Sequence, residues 1–328
     1  MWSAGGESDS AECVAGDRRY RRTRARRVPG PIGVPPRWLG PCALRVRADQ
    51  TAVRLPGGDT VRSLETVHHS DSEIAIHATE VASAVIRSAF HGPLTRYAKQ
   101  GDDFATQADI AAEKAILDVL ATECPGDRFV AEESGVTGSA RSDRTWFVDP
   151  LCGTRNFAVD TAFVAVNVAL RDGDAVTVAA TADPFADEVF WTAGQGAFLR
   201  TEGRDEPLRP HSGSHLVDVD LDHPFPWSTP ARLFDAEGFA GEFHPRVLST
   251  SLALVWVAAG RRAAYITGGD LRDSVHFSSA IAVCQAAGCV VTGLAGQPLH
   301  TAPHGLIAAA DAPTHARLVE AVVGLRAG

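Results

Sequence analysis

The sequence predicts an α/β (α+β) protein in which helices cover sheets. Three observations carry this reading. From Ser72 onward, segments with apolar residues at helical spacing alternate with short strand-like runs. The chain has 328 residues, 45% of them hydrophobic, enough for one large core or two moderate ones. No run of about 18 apolar residues occurs, so no membrane span is expected.

Residues 1–60 stand apart. They hold six prolines and the basic run Arg18–Arg27, with no persistent period, and are expected to be a disordered or mis-started N-terminal extension. The folded pattern then divides into an N-terminal α+β half (61–205) and a C-terminal α/β half (206–328). Ile74, Ala78, Val81, Val85 and Ala89 predict a first helix, capped by Asp71 or Ser72. A second opens near Asp109, with Ile110, Ile116, Leu117 and Leu120 as its apolar stripe. Strands are expected at 128–131, 146–148 and 164–170, then across the Asp172-Gly173-Asp174 turn at 175–180, and at 189–192 and 196–199. Residues 203–245 are poorly periodic and read as a link between the halves. Beyond them a helix (248–259), a strand (263–266), a helix ended by Gly288 (277–287) and strands at 289–292 and 306–309 are expected. A last helix follows, capped by Asp311 with Pro313 in its first turn.

The net charge of −9 argues against a nucleic-acid partner, since phosphate-backbone binding needs a basic surface. It leaves room for an anionic small molecule, because a bound divalent cation reverses the local field. The six cysteines form no CxxC pair and the start carries no apolar secretory core, so a cytoplasmic protein with reduced thiols is expected. Lysine occurs only at 99 and 114, a scarcity read as codon bias in a GC-rich genome rather than as chemistry. No Walker, GxGxxG or GxSxG motif is present.

Three acidic patches carry the chemistry: Phe104–Asp109, Val130–Gly135 and Trp146–Phe157. In the last two an apolar strand runs into acidic residues, placing carboxylates where a sheet ends. Glu132, Asp149, the Leu151 carbonyl and the Thr154 hydroxyl are the oxygen donors that a hard cation such as Mg²⁺ prefers. Pro150 fixes its φ and Gly153 lets the chain double back, so Asp149, Leu151 and Thr154 are able to face one point.

The third patch resembles the signature of the inositol monophosphatase family, Asp-Pro-hydrophobic-Asp-Gly-Thr-x-Asn-Phe. Ala131–Gly135 is similar to the family's Gly-Glu-Glu-Ser, and Thr106–Asp109 to its Thr-x-Ala-Asp. The resemblance implies a layered α/β/α/β/α sandwich and Mg²⁺-dependent hydrolysis of phosphate monoesters. It implies one metal held by Glu132, Asp149, the Leu151 carbonyl and Thr154, with Asp109 and Thr154 activating water. Gly153, Arg155 and Asp273 are the candidate substrate contacts. Family members commonly dimerise, so a homodimer is an expectation.

The chain departs from the family at the second metal's own ligands. Cys152 replaces one aspartate of the signature, and His276 replaces another at the start of a late helix. Gly269 stands where the family's inositol-gripping acidic residue belongs, so inositol phosphate is a poor choice of substrate. Three readings follow. The first is a phosphatase with an altered site, holding one Mg²⁺, or Zn²⁺ or Mn²⁺ where Cys152 and His276 are ligands. The second is a Cys152/His276 nucleophile–base pair recruited for acyl transfer or cyclisation. The third is a homologue without catalysis.

Overall fold

The computed structural model describes residues 69–99, 101–211, 213–223, 233–234 and 239–324. The chain separates into units Met1–Leu64 and Glu65–Gly328, and the described residues belong to the second. The expectation for residues 1–60 lies outside the described residues.

Helices α1 (Asp71–Ala89) and α2 (Gln107–Glu123) bracket a two-stranded ribbon, β1 (Arg96–Ala98) and β2 (Phe104–Thr106). The cap of α1 is Ser70, whose hydroxyl accepts the Glu73 N–H, one residue before the expected position. Thr106 and Asp109 close a capping box on α2. Ile110 is 44% exposed and does not belong to the apolar stripe. Ala108, Ala112, Ile116 and Leu120 form the buried face instead.

An eight-stranded sheet follows: β3 (Arg128–Ala131), β4 (Gly135–Gly138), β5 (Arg144–Cys152), β6 (Ala165–Asp172), β7 (Ala175–Asp183), β8 (Glu188–Thr192), β9 (Ala197–Thr201) and β10 (Arg204–Pro207). Its order is β10-β9-β8-β7-β6-β5-β3-β4, and within it only β3 and β5 pair in parallel. A short helix, α3 (Thr154–Phe157), leaves the end of β5.

The second sheet has five strands in the order β12-β11-β13-β15-β14. These are β11 (Leu216–Val219), β12 (His244–Val247), β13 (Ala264–Thr267), β14 (Val290–Thr292) and β15 (Leu306–Ala309). Strand β11 falls in the stretch read as a linker. Its Leu-Val-Asp-Val pattern alternates apolar and acidic residues, which imitates an exposed edge. In the structure Val217, Asp218 and Val219 are all fully buried, with Asp218 paired to Arg262.

The helices α4 (Phe239–Glu242), α5 (Ser251–Ala258), α6 (Ser278–Ala287) and α7 (Ala312–Gly324) complete the chain. Helices α1 and α2 cover one face of the large sheet, and α6 packs on its other face. Helix α5 contacts both sheets, and α7 covers β15 from outside. The layers therefore run α/β/α/β/α. All eight residues of α5 are buried, as expected of a helix that is apolar on every side.

Candidate active site

Parallel pairing brings the C-terminal ends of β3 and β5 to the same edge of the large sheet. Glu132 follows β3, its N–H bonded to the Val148 carbonyl at 3.1 Å. Asp149 sits on β5, where the register with β6 shifts between Asp149 and Cys152. That shift turns the Leu151 N–H back onto Asp149 Oδ1 at 3.0 Å. Gly153 then adopts φ 107°, and a Cβ there would lie 3.0 Å from the Phe163 carbonyl oxygen. Only glycine fits that turn without strain.

The turn delivers Thr154. Its hydroxyl donates to Asp109 Oδ1 at 2.8 Å and lies 3.2 Å from the Leu151 carbonyl oxygen. Asp109 Oδ2 is held from behind by the N–H and hydroxyl of Thr106, at 2.8 and 2.5 Å. One capping box therefore both starts α2 and aims a buried carboxylate at Thr154.

Charge sets the next layer of detail. Burial and the neighbouring Asp149 push the Glu132 carboxyl up to about 8. Its Oε2 is buried with no hydrogen-bond partner among the described residues and lies 3.9 Å from His276 Nδ1. Asp149 is fully buried, which penalises its charge, but His276 outweighs this and holds it below the ordinary range. The His276 Nδ1 lies 2.8 Å from Asp149 Oδ2. Burial works against a charged His276, yet Asp149 raises it well above the ordinary histidine range.

Lys99 completes this group, although its scarcity in the sequence was read as codon bias. Its ammonium contacts Glu132 Oε1 at 2.7 Å and Glu133 Oε1 at 2.8 Å. A lysine retained in a chain whose other basic residues are almost all arginine was the available signal.

The altered positions lie together. Asp149, Cys152 and His276 bring their ligand atoms within 4.8 Å of one another. The Cys152 sulfur accepts the Ser251 N–H at 3.2 Å, at the start of α5. Burial, then the charge of Asp149, raises the Cys152 thiol above its ordinary value, so it stays protonated.

These residues open onto a cavity of about 720 Å³. It is lined by Glu132, Leu151, Cys152, Gly153, Thr154, Arg155 and His276, and also by Asp220, His223 and Ser249. Arg155 reaches the Asp102 carbonyl at 3.3 Å from the rim. Asp273 is not brought to this site. It forms a salt bridge with Arg171 and lines a second cavity against α6, because residue 273 turns through φ 57° before the chain reaches His276. Asp220 and His223 were missed, since they follow the unrecognised strand β11.

The donor set was tested against a hard divalent cation. Glu132 Oε2 is a buried acidic oxygen without a hydrogen bond among the described residues, and Asp149, the Leu151 carbonyl and the Thr154 hydroxyl supply further oxygen. That chemistry fits Mg²⁺. At the position of the two replacements, Cys152 and His276 already engage Ser251 and Asp149.

Five layers with an acidic oxygen cluster at neighbouring strand ends define a sandwich fold with a cation-type centre. The chain belongs to the inositol monophosphatase family, whose profile matches residues 68–326. It is 37% identical over 175 residues to an inositol-1-monophosphatase of Caulobacter vibrioides, covering 50% of this chain and 66% of that protein. The chain thus spans just under two thirds of that relative. It is 31% identical to the Nus factor SuhB of Pasteurella multocida, covering 72% of this chain and 90% of the relative. The extragenic suppressor protein suhB of Bartonella henselae superposes with a TM-score of 0.66 at 25% identity, over 76% of this chain and 97% of that one.

Proposed function

We propose that the protein is a Mg²⁺-dependent phosphomonoesterase with one hard-cation site, acting on a small phosphorylated metabolite other than an inositol phosphate. The observation that carries this is the buried Glu132 Oε2, without a hydrogen bond among the described residues, beside the oxygens of Asp149, Leu151 and Thr154. Glu132, Asp149, the Leu151 carbonyl and Thr154 would hold the ion. When bound it would polarise a phosphoryl oxygen. Thr154 and Asp109 form the hydrogen-bonded pair suited to orienting water and taking its proton. Arg155 and the Gly153 turn line the mouth where phosphate would enter.

Gly269 argues against inositol phosphate. The space over it is taken by His223, whose Cβ would lie 3.3 Å from a Cβ at 269. The protonated, buried Cys152 disfavours a cysteine nucleophile, which must react as a thiolate. A cytoplasmic location and a homodimer belong to the same proposal. Among the described residues no helix is long and apolar enough to cross a membrane.

The test is metal analysis of the purified protein with hydrolysis of generic phosphate esters, with and without Mg²⁺. Mg²⁺-dependent release of phosphate is expected. Near-stoichiometric zinc or manganese that Cys152→Ala removes would favour a softer ion at the Asp149, Cys152 and His276 cluster instead. No hydrolysis and no bound metal would overturn the proposal.

A further inference from the structure

One wall of the main cavity is built by residues that the reading above leaves without a task. Asp220, the residue after strand β11, is 2% exposed. Asp220 Oδ2 lies 3.1 Å from the Tyr265 hydroxyl, 3.3 Å from the Thr267 hydroxyl and 3.2 Å from His223 Nδ1. Its Oδ1 accepts the Asp222 N–H at 2.9 Å. A carboxylate fixed by donors from one strand, β13, and the loop after β11 has one orientation to offer, and it holds the His223 ring by Nδ1.

The ring is placed as carefully as the carboxylate. It packs over Gly269, where an added Cβ would lie a tight 3.3 Å from His223 Cβ on a backbone of φ 82°. It stands edge-on to Phe277, with centroids 5.1 Å apart, and 6.4 Å from the His276 ring. With Nδ1 committed to Asp220, Nε2 is the remaining nitrogen of a residue that lines the cavity.

Phosphoryl transfer runs with the attacking and leaving oxygens roughly in line. Asp149, buried beneath the cavity, divides the site: Oδ1 accepts the Leu151 N–H and Oδ2 faces His276. Water oriented by Thr154 and Asp109 therefore puts the leaving oxygen toward His276 and His223. An alkoxide is a poor leaving group unless a cation or a proton meets it. Cys152 is engaged with the Ser251 N–H, and His276 compensates the fully buried Asp149 at 2.8 Å, a carboxylate that would be left without its counter-charge were His276 to give up a proton.

We propose that His223, as an imidazolium whose Nδ1–H is held by Asp220, is a catalytic residue that donates the Nε2 proton to the leaving oxygen of an alkyl phosphate. This rests on the phosphomonoesterase reading. The water oxygen forms the new P–O bond while the P–O bond to the alcohol breaks. The alcohol oxygen keeps the bonding pair and takes the His223 proton. The proton of water passes by Thr154 to Asp109, and solvent restores both groups, so ester and water give alcohol and phosphate. Asp220 is a positioning residue, acting through the imidazole.

The experiment compares β-glycerophosphate, which needs a proton on its leaving oxygen, with p-nitrophenyl phosphate, which does not. Both are assayed with Mg²⁺ on the full chain, with folding checked by thermal melting. His223→Gln is expected to lower kcat on β-glycerophosphate by about 10²-fold or more, the usual share of a general acid. On p-nitrophenyl phosphate its kcat should change by less than about tenfold, because the phenolate leaves unaided. Asp220→Asn should show the same selectivity with a smaller loss. Equal losses of His223→Gln on both esters would overturn the proposal and leave the phosphatase reading standing. No hydrolysis of either ester by the unsubstituted protein would overturn both. His223 is one third exposed, so its substitution tests the idea even where Asp220→Asn fails to fold.

Discussion

The two sides of the cavity floor meet at Asp149 and differ in kind. Toward Thr154 the donors are oxygens, and Glu132 beside them offers a buried Oε2 with no hydrogen bond among the described residues, though it lies 3.9 Å from His276 Nδ1. Toward His276 the donors are nitrogen and sulfur, and each already has a protein partner. The first side has a place for a cation from solution. The second neutralises the same aspartate with an imidazole. On the proposed reading, charge compensation at Asp149 would be divided between an external ion and a side chain, so that two metal-ligand positions could change while the scaffold and the first side persist.

The substitution that strikes both sides is expected to have the largest effect. Asp149→Asn removes the charge that both the cation and His276 rely on. Its kcat/KM should fall by at least the ~10²–10³-fold typical of losing one electrostatic stabiliser. Steady-state kinetics on p-nitrophenyl phosphate, with and without a chelator, checks this. A chelator should reduce the unsubstituted enzyme to a similar level, and a rate that ignores chelation would break the division between the two sides.

The next effect comes from converting one side into the other. Cys152→Asp combined with His276→Asp supplies oxygens where nitrogen and sulfur stand. The double variant should bind an additional Mg²⁺ and gain about tenfold in rate, about 1.4 kcal/mol of barrier. Titration calorimetry reads the stoichiometry and turnover reads the gain. A folded double variant with unchanged metal content would show that more than these two residues separates the sides.

Lys99 sharpens the comparison on the oxygen side. Burial opposes its charge, but Glu132 and Glu133 outweigh this and hold the ammonium above the ordinary lysine range. It shares Glu132 with any incoming ion. Lys99→Met should lower stability in a chelator by up to ~1.5–3 kcal/mol, the scale of hydrogen bonds to charged groups, less solvent screening. It should also raise the affinity for Mg²⁺ severalfold. Melting curves with and without Mg²⁺ check both, and equal losses in the two conditions would count against competition.

Much of this contrast was legible in the sequence. Asp109, Glu132, Asp149, Leu151 and Thr154 announce themselves because each ends a strand or opens a helix, so local pattern and chemistry coincide. Cys152 and His276 were visible only as departures from a family pattern. What stayed hidden depends on contacts far along the chain. Asp220 and His223 follow a strand buried on both faces, whose Asp218 is paired with Arg262 and whose neighbour Asp220 accepts the hydroxyls of Tyr265 and Thr267, all some forty residues further along the chain on or beside β13. Asp273 was misplaced by proximity to His276 in sequence, since a left-handed turn sends its carboxylate to Arg171 instead.

The smallest expected effect concerns Cys152 itself. If its sulfur is a packed, protonated group, Cys152→Ala loses one weak contact with the Ser251 N–H and a little volume in the core. Large-to-small changes of this size cost ~1 kcal/mol. Turnover with Mg²⁺ should then stay within about threefold, a change of roughly 0.7 kcal/mol in barrier. Alkylation by iodoacetamide at neutral pH should be slow, because burial and the charge of Asp149 both disfavour the thiolate that would react. A large loss of activity with fast alkylation would make the sulfur a participant, and the His276 side would then be a centre of chemistry in its own right rather than a replacement for a cation.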